Sequence, residues 1–250
     1  TGVGMMDCKK ALAAADGDME EALEHLRKAG IAKAAKKADR TANEGMIVSH
    51  ISTGAGALVE VLCETDFVAK NEKFQKFAAE IAQRTATDCA GSGDVSDAVA
   101  DRETDALAAM IGVIGENIKI GRAARWESTD ALDSYIHLHG KIGVMLEAEG
   151  EIDDEVLHDA AMHIAAFNPQ YISPDEVPED VLEKEKEIAA AQVAGKPEHI
   201  IGKIVEGKIN KWYTETCLTN QPWIRDDKTT LAKVAPTMNV KRFLRWEAGQ

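Results

Sequence analysis

No run of apolar residues in this sequence approaches the roughly 20 that a membrane-crossing helix needs, and no basic leader precedes an apolar stretch. A helical membrane protein and a secretory leader are therefore not expected. The first residue is Thr1 rather than Met, so the natural N-terminus is expected to lie upstream. Cysteine is sparse: Cys8, Cys63, Cys89 and Cys217 lie far apart with no CxxC pair. That excludes a disulfide framework and implies reduced thiols in a cytoplasmic compartment. Basic residues are in deficit, 29 Lys and Arg against 43 Asp and Glu, for a net charge of −14 and a pI near 5.0. So acidic a chain repels nucleic acid, and direct nucleic-acid binding is not expected. Also missing are GxxxxGK[ST], GxGxxG, HExxH and GxSxG, which removes the motif basis for nucleotide cradling, zinc peptidase and serine hydrolase chemistry.

What the chain does have is enough apolar content, 45%, to bury a core over 250 residues. The first 40 residues read as helices. MMDCKKALAAADGD ends at Gly17, and Asp18 with Glu21 three residues later has the spacing of a capping box. MEEALEHLRKAG puts Met19, Ala22, Leu23 and Leu26 on one face and is expected to stop at Gly30 as a C-cap. Two short helices bury little, so a third is expected upstream of Thr1. The segment 33–40, with Lys33, Lys36, Lys37 and Arg40, reads as a solvated linker helix; no aromatic side chain is interleaved to suit a nucleic-acid strand.

From Glu44 the apolar period becomes that of strands. GMIVSHI, a TGAG turn and ALVEVLC predict a β-hairpin. ETDFVAKN follows, then a helix with Phe74, Phe77, Ala78 and Ile81 on one face. Residues 90–103 read as a loop, TDALAAMIGVIG as a helix, and NIKIGRAARWE as a strand alternating Ile118, Ile120, Arg122, Ala124 and Trp126. A second hairpin turning near Gly140 and a second helix, with Val156, Ala160, Ile164 and Phe167 on one face, repeat the pattern. This is an α+β chain with a two-part core of small antiparallel sheets covered by helices. Between Pro178 and Pro222, a stripe of Val181, Ile188 and Gln192 faces one of Ile201, Ile204, Val205, Ile209 and Trp212 across a GKP break at 195–197. That spacing predicts an antiparallel helical hairpin of coiled-coil type. VKRFLRWE closes the chain as a strand.

Candidate chemistry is thin. His137 and His139 share a strand face at a metal-capable spacing, but two ligands are too few and no third is evident, so no metal site is expected. His158 and His163 are expected to be surface or hydrogen-bonded histidines. Cys63 reads as a small buried hydrophobe. Glu64 and Asp66 lack a pocket for acid–base work, and Asp66 suits a helix N-terminus. Spacing leaves two readings of Phe67 open. It stands seven residues before Phe74, so one continuous helix would bury both rings. Alternatively, Thr65 and Asp66 start a turn that presents Phe67 outward while Asn71 caps the main helix.

TGVGMMDCKKAL (1–12), KAAKKA (33–38), EGMI (44–47), ETDFVAKN (64–71), IGENIKI (114–120), SYIHLHGKIGV (134–144) and MHIAAFNPQYI (162–172) resemble the bacterial elongation factor Ts family in order along the chain. GKP (195–197), VEGKINKW (205–212), LTNQPW (218–223) and RFLRWE (242–247) continue the resemblance. It implies a ubiquitin-associated-like helical module over 1–40 lacking its first helix, a core N-subdomain over 41–133, and a core C-subdomain over 134–250. The helical hairpin, about 178–221, is an insertion in the last. It further implies a partner, the GTPase elongation factor Tu in its nucleotide-free or GDP-bound form, whose Mg²⁺ site is disturbed by the Thr65–Val68 corner through Asp66 and Phe67. Met5, Met6 and His137 are implied as further contacts. The second half of the core would grip the partner's third domain, and the hairpin adds contacts in some members. No cofactor and no covalent catalysis are implied, and both homodimers and two-plus-two complexes occur among relatives. Two other readings stay open: a structural subunit of an RNA-handling assembly, resting on 33–40, and a metal-dependent hydrolase resting on His137 and His139.

Overall fold

The computed structural model describes residues 2–193 and 197–250. Two compact units divide the chain: residues 1–129, 136–143 and 246–250 form one, and 130–135 with 144–245 the other. The first begins with helices α1 (Met5–Ala14) and α2 (Met19–Ala35), then a hairpin of β1 (Glu44–Ser52) and β2 (Ala55–Cys63). One-turn helix α3 (Asp66–Ala69) and long helix α4 (Glu72–Asp88) follow, then β3 (Gly93–Asp94), α5 (Ser96–Arg102), α6 (Thr104–Ile114) and β4 (Ile118–Glu127). The remainder of the chain carries β5 (Ala131–His137), β6 (Ile142–Gly150), α7 (Asp154–Phe167), α8 (Glu179–Ala191) and α9 (Glu198–Thr216). A short ribbon of β7 (Pro222–Trp223) and β8 (Asp226–Thr230), one-turn α10 (Leu231–Val234) and β9 (Met238–Glu247) complete it. The class is α+β, as expected. No described helix is long and apolar enough to cross a membrane.

α1 and α2 pack around Ala11, Ala15 and Ala22, with Leu12 and Leu26 half-buried beside them. α2 starts as its capping spacing predicts, the Asp18 carboxylate accepting from the Glu21 N–H at 2.8 Å. It does not stop at Gly30. The helix runs on to Ala35, and Gly30 lies buried where α6 crosses α2. A Cβ on Gly30 would stand 3.5 Å from the Ala108 carbonyl, and one on Gly112 3.8 Å from the Gly30 Cα. These are ordinary contacts, and neither glycine is a left-handed cap. Met19 and Leu23, expected on the covered face, are exposed because α1 covers only the Ala22 and Leu26 side.

The first sheet is ordered β1-β2-β4-β3. Its hairpin turns on two residues, Thr53 and Gly54, since Ser52 pairs with Ala55; the second half of TGAG is already strand. α4 covers the sheet with Phe74, Phe77, Ala78 and Ile81, all buried as their spacing predicts. β4 departs from simple alternation. A bulge between Val59 and Val61 pairs Val59 with Ala123 but Val61 with Ile120, so the buried face passes from Ile118 and Ile120 to Ala123. At the bulge, buried Glu60 takes both prongs of Arg122 at 2.9 and 3.0 Å and the Gly249 N–H at 3.0 Å. Arg122 also stacks on Trp246, 4.9 Å from the ring centroid. Residues 90–103, read as a loop, hold β3 and α5 instead: the Asp94 carboxylate accepts from Ser96 N–H at 2.9 Å, and Val99 is fully buried. Gly and Asp there start a helix rather than interrupt one.

The second sheet is ordered β5-β6-β9. α7 is capped by Asp153, whose carboxylate accepts from Glu155 N–H at 2.9 Å. Its buried face is Leu157, Ala160, Ala161 and Ile164; Val156 is half-buried and Phe167 exposed, so the stripe is rotated from the expected one. α8 and α9 pack on each other with Ala189 and Ile209 buried, forming the expected helical hairpin, while Ile188 faces out. Of the GKP break, residues 195 and 196 lie outside the described residues; Pro197 stands at the N-cap of α9. β9 is the predicted closing strand, and β7, β8 and α10 are too short for periodicity to mark.

Candidate functional site

β2 delivers the chain to Cys63, buried under α3 and α4, and the corner begins one residue later. Glu116 organises it. One carboxylate oxygen accepts from the backbone N–H groups of Glu64 and Thr65 at 3.1 and 3.0 Å; the other accepts from the Thr65 hydroxyl at 2.7 Å. The Thr65 oxygen in turn accepts from the Val68 N–H at 3.4 Å, capping α3. Glu64 bends back, its carboxylate accepting from the Asn117 N–H at 2.6 Å. The Asn117 amide donates to the Ala38 and Arg40 carbonyls at 3.3 and 2.8 Å, tying the corner to the end of the linker. Glu116 is delivered by Gly115, which ends α6 in the left-handed conformation (φ 89°).

α3 lasts one turn because the Asn71 side chain accepts from the Lys73 N–H at 2.9 Å and begins α4 afresh. That break decides the two readings of Phe67. Val68 and Ala69 turn into the core while Phe67 points out, 81% exposed. Phe74 is fully buried, so the two rings share no face. Asp66 accepts from the Lys70 ammonium at 2.7 Å, and that hydrogen bond holds its carboxyl below the usual carboxylate range. Cys63, beneath the corner, is an inert thiol: burial above all, with the Glu116 charge adding, pushes it up to about 12.

His137 is exposed at the end of β5. His139 does not share its face. Leu138, His139 and Gly140 take successive left-handed conformations (φ 48°, 55° and 92°), so the strand has ended before His139. No three His, Cys, Asp or Glu among the described residues could hold a metal ion. His158 accepts or donates at 2.9 Å to Asp133, and buried His163 lies between Phe167 and Trp223 with Nε2 2.9 Å from the Gln221 Oε1. Both fit the expected hydrogen-bonded role. Gln221 donates its own amide to the Phe167 and Glu215 carbonyls, so its oxygen must accept, and His163 carries its proton on Nε2.

Met5 and Met6 open α1 and are 86% and 62% exposed. Three side chains of the basic segment are engaged internally: Lys33 with Asp7 at 2.7 Å, Lys37 with the Gly115 carbonyl, and Arg40 with Glu64 at 3.5 Å. A strand of phosphates would have to displace these pairs. The sequence did not single out Glu116, Lys70 or Asn117; the Gly-Glu-Asn run after an apolar helix was the available signal.

The sequence model of the family described as Elongation factor TS matches residues 64–250. Elongation factor Ts of Halothermothrix orenii is 44% identical over 266 residues, covering all of this chain and 89% of the relative. That of Aquifex aeolicus is 42% identical, with all of this chain and 94% of the relative covered. That of Alcanivorax borkumensis is 44% identical, covering all of this chain and 90% of the relative. Identity at this level over the whole chain leaves one conclusion: the chain belongs to the elongation factor Ts family of translation elongation factors.

Proposed function

We propose that this chain binds elongation factor Tu and accelerates release of its GDP, so that GTP can rebind. The observation that carries the reading is Phe67, a large apolar side chain 81% exposed on a one-turn helix whose Val68 and Ala69 pack into the core. An exposed aromatic on a clamped corner loses little freedom when a partner's pocket closes over it. In the reading proposed, Asp66 and Phe67, positioned by Thr65 and Val68, enter beside the partner's Mg²⁺ site. Mg²⁺ bridges nucleotide phosphates and protein oxygens. Shifting the elements beside the metal weakens that bridge, and GDP leaves faster. The factor forms and breaks no covalent bond and needs no cofactor of its own.

Such exchange is negative coupling between two ligands of one protein. By linkage, nucleotide weakens the factor's binding as much as the factor weakens the nucleotide's. The coupling expected here exceeds the ordinary ~1–3 kcal/mol, because a smaller one would change release only modestly. Met5, Met6 and His137, all exposed, are assigned to further contacts with the partner's GTP-binding domain. The parts 1–40, 41–133 and 134–250 are assigned to a helical docking module and two core subdomains, with the hairpin as an insertion in the last. We place the protein in the cytoplasm, acting as a homodimer or in a two-plus-two complex with its partner.

The test is release of fluorescent GDP from purified elongation factor Tu. The chain should accelerate it, and Phe67→Ala should abolish most of the acceleration while the thermal midpoint holds, since an 81% exposed ring contributes little to the core. Unaltered release with Phe67→Ala, or no acceleration by the native chain, overturns the reading.

A further inference from the structure

The loop after His137 carries a feature that the corner residues do not explain. Leu138 is a left-handed residue (φ 48°) and 60% exposed, and His139 beside it is left-handed too (φ 55°). Non-glycine residues resist this conformation, and a γ-branched apolar one gains nothing from it by itself. The conformation is imposed from below. Gly140 sits so close to β1 that a Cβ on it would stand 2.6 Å from the Met46 Cβ. Lys141 is fixed beside it, its ammonium 2.6 Å from Glu44 and its carbonyl accepting from the Ala248 N–H at 2.9 Å. With its C-terminal end pinned at Gly140 and Lys141, the loop holds a leucine side chain in water.

α3 packs on the same strand, so β1 supports both Phe67 and Leu138. Each has an ion pair close by in the chain. Asp66 pairs with Lys70, Lys141 pairs with Glu44, and the two pairs feel each other: Lys141 helps to lower the Asp66 carboxyl, and Glu44 helps to raise Lys70. Two exposed apolar side chains on one strand's support, accompanied by balanced ion pairs, have the composition of an interface centre with its rim.

We propose that Leu138 is a second apolar anchor of the Phe67 docking surface, seated in an apolar depression of the same GTPase and setting how tightly the factor binds. The inference rests on the exchange reading above. It divides the labour: Phe67 enters beside the metal site and acts on the rate at saturation, whereas Leu138 contributes contact that is the same before and after GDP leaves.

The experiment titrates elongation factor Tu loaded with fluorescent GDP against the full chain carrying Leu138→Asn or Leu138→Met. Asn tolerates the left-handed conformation and removes the apolar contact; Met keeps most of that contact. Leu138→Asn is expected to raise the half-saturating concentration roughly tenfold with the saturating rate unchanged. Leu138→Met stays close to the native curve, and thermal midpoints monitor folding of both. An Asn variant with the native half-saturating concentration overturns the inference while leaving the Phe67 reading intact. A lowered saturating rate at native affinity also overturns it, because Leu138 would then be a lever and not an anchor. If the native chain fails to accelerate release, the exchange reading falls and this inference falls with it.

Discussion

Replacing Glu116 with Ala isolates how the Phe67 corner is held. The carboxylate accepts three hydrogen bonds, at 3.1, 3.0 and 2.7 Å, and every donor belongs to Glu64 or Thr65. Hydrogen bonds to a charged acceptor contribute ~1.5–3 kcal/mol each when their loss leaves a buried donor unmet. Here the donors are half-buried and water can reach them, so we take about 2 kcal/mol for the set. That energy holds Thr65 in place to cap α3, and α3 holds Phe67 outward. Losing it lowers the equilibrium constant for the poised corner roughly 30-fold, and the fraction of molecules with the ring poised by up to that factor. The saturating rate of GDP release from elongation factor Tu should fall with that fraction in Glu116→Ala, at least twofold and by up to ~30-fold, with α4 and the sheet intact by circular dichroism. Glu116→Gln keeps an oxygen for both backbone donors and should recover most of the rate. Two results would refute the reasoning: native release rates in Glu116→Ala, or a Gln variant as impaired as Ala although folded.

Two further outcomes concern parts away from the corner. Gly30→Ala should hold or raise stability, by up to ~1 kcal/mol in chemical unfolding, because helix propensity improves and its Cβ meets the Ala108 carbonyl at an ordinary 3.5 Å. A clear loss would mean that the α2–α6 contact cannot take even one methyl group. Cys63, with its thiol pushed up to about 12, gives almost no thiolate until pH approaches that value. Iodoacetamide at pH 8 should therefore leave native Cys63 unmodified while labelling it in denaturant, as read by peptide mass spectrometry.

Much of the architecture was legible because caps and periods are local. Asp18 and Asn71 each accept from a backbone N–H two or three residues on, where the sequence placed caps. The face of α4 followed from Phe74, Phe77, Ala78 and Ile81 alone. Failures came where the deciding partner is distant. Gly30 looked like a helix end, but α2 runs through it to Ala35 and α6, more than 70 residues later, packs over it. The β4 alternation failed at a bulge set by β2, and the stripe of α7 was rotated by what covers it. At the site, the sequence raised the question of Phe67 without deciding it. The answer lies in the α3–α4 break and in Glu116, which is 51 residues from Thr65. The left-handed backbone at Leu138 was hidden as well, since nothing in the run HLHG marks it except the glycine at its end.

Both sheets are finished by a strand that returns late. β4 joins β2 only after residues 64–117 have intervened, and β9 joins the second sheet after residues 151–237. Contacts closing such long loops form slowly. During synthesis the second sheet must wait as a bare hairpin, one edge open, until the ribosome has released β9. A nascent chain halted before Met238 would therefore expose that edge to chaperones and proteases, whereas one halted after Glu127 would already hold every strand of its first sheet.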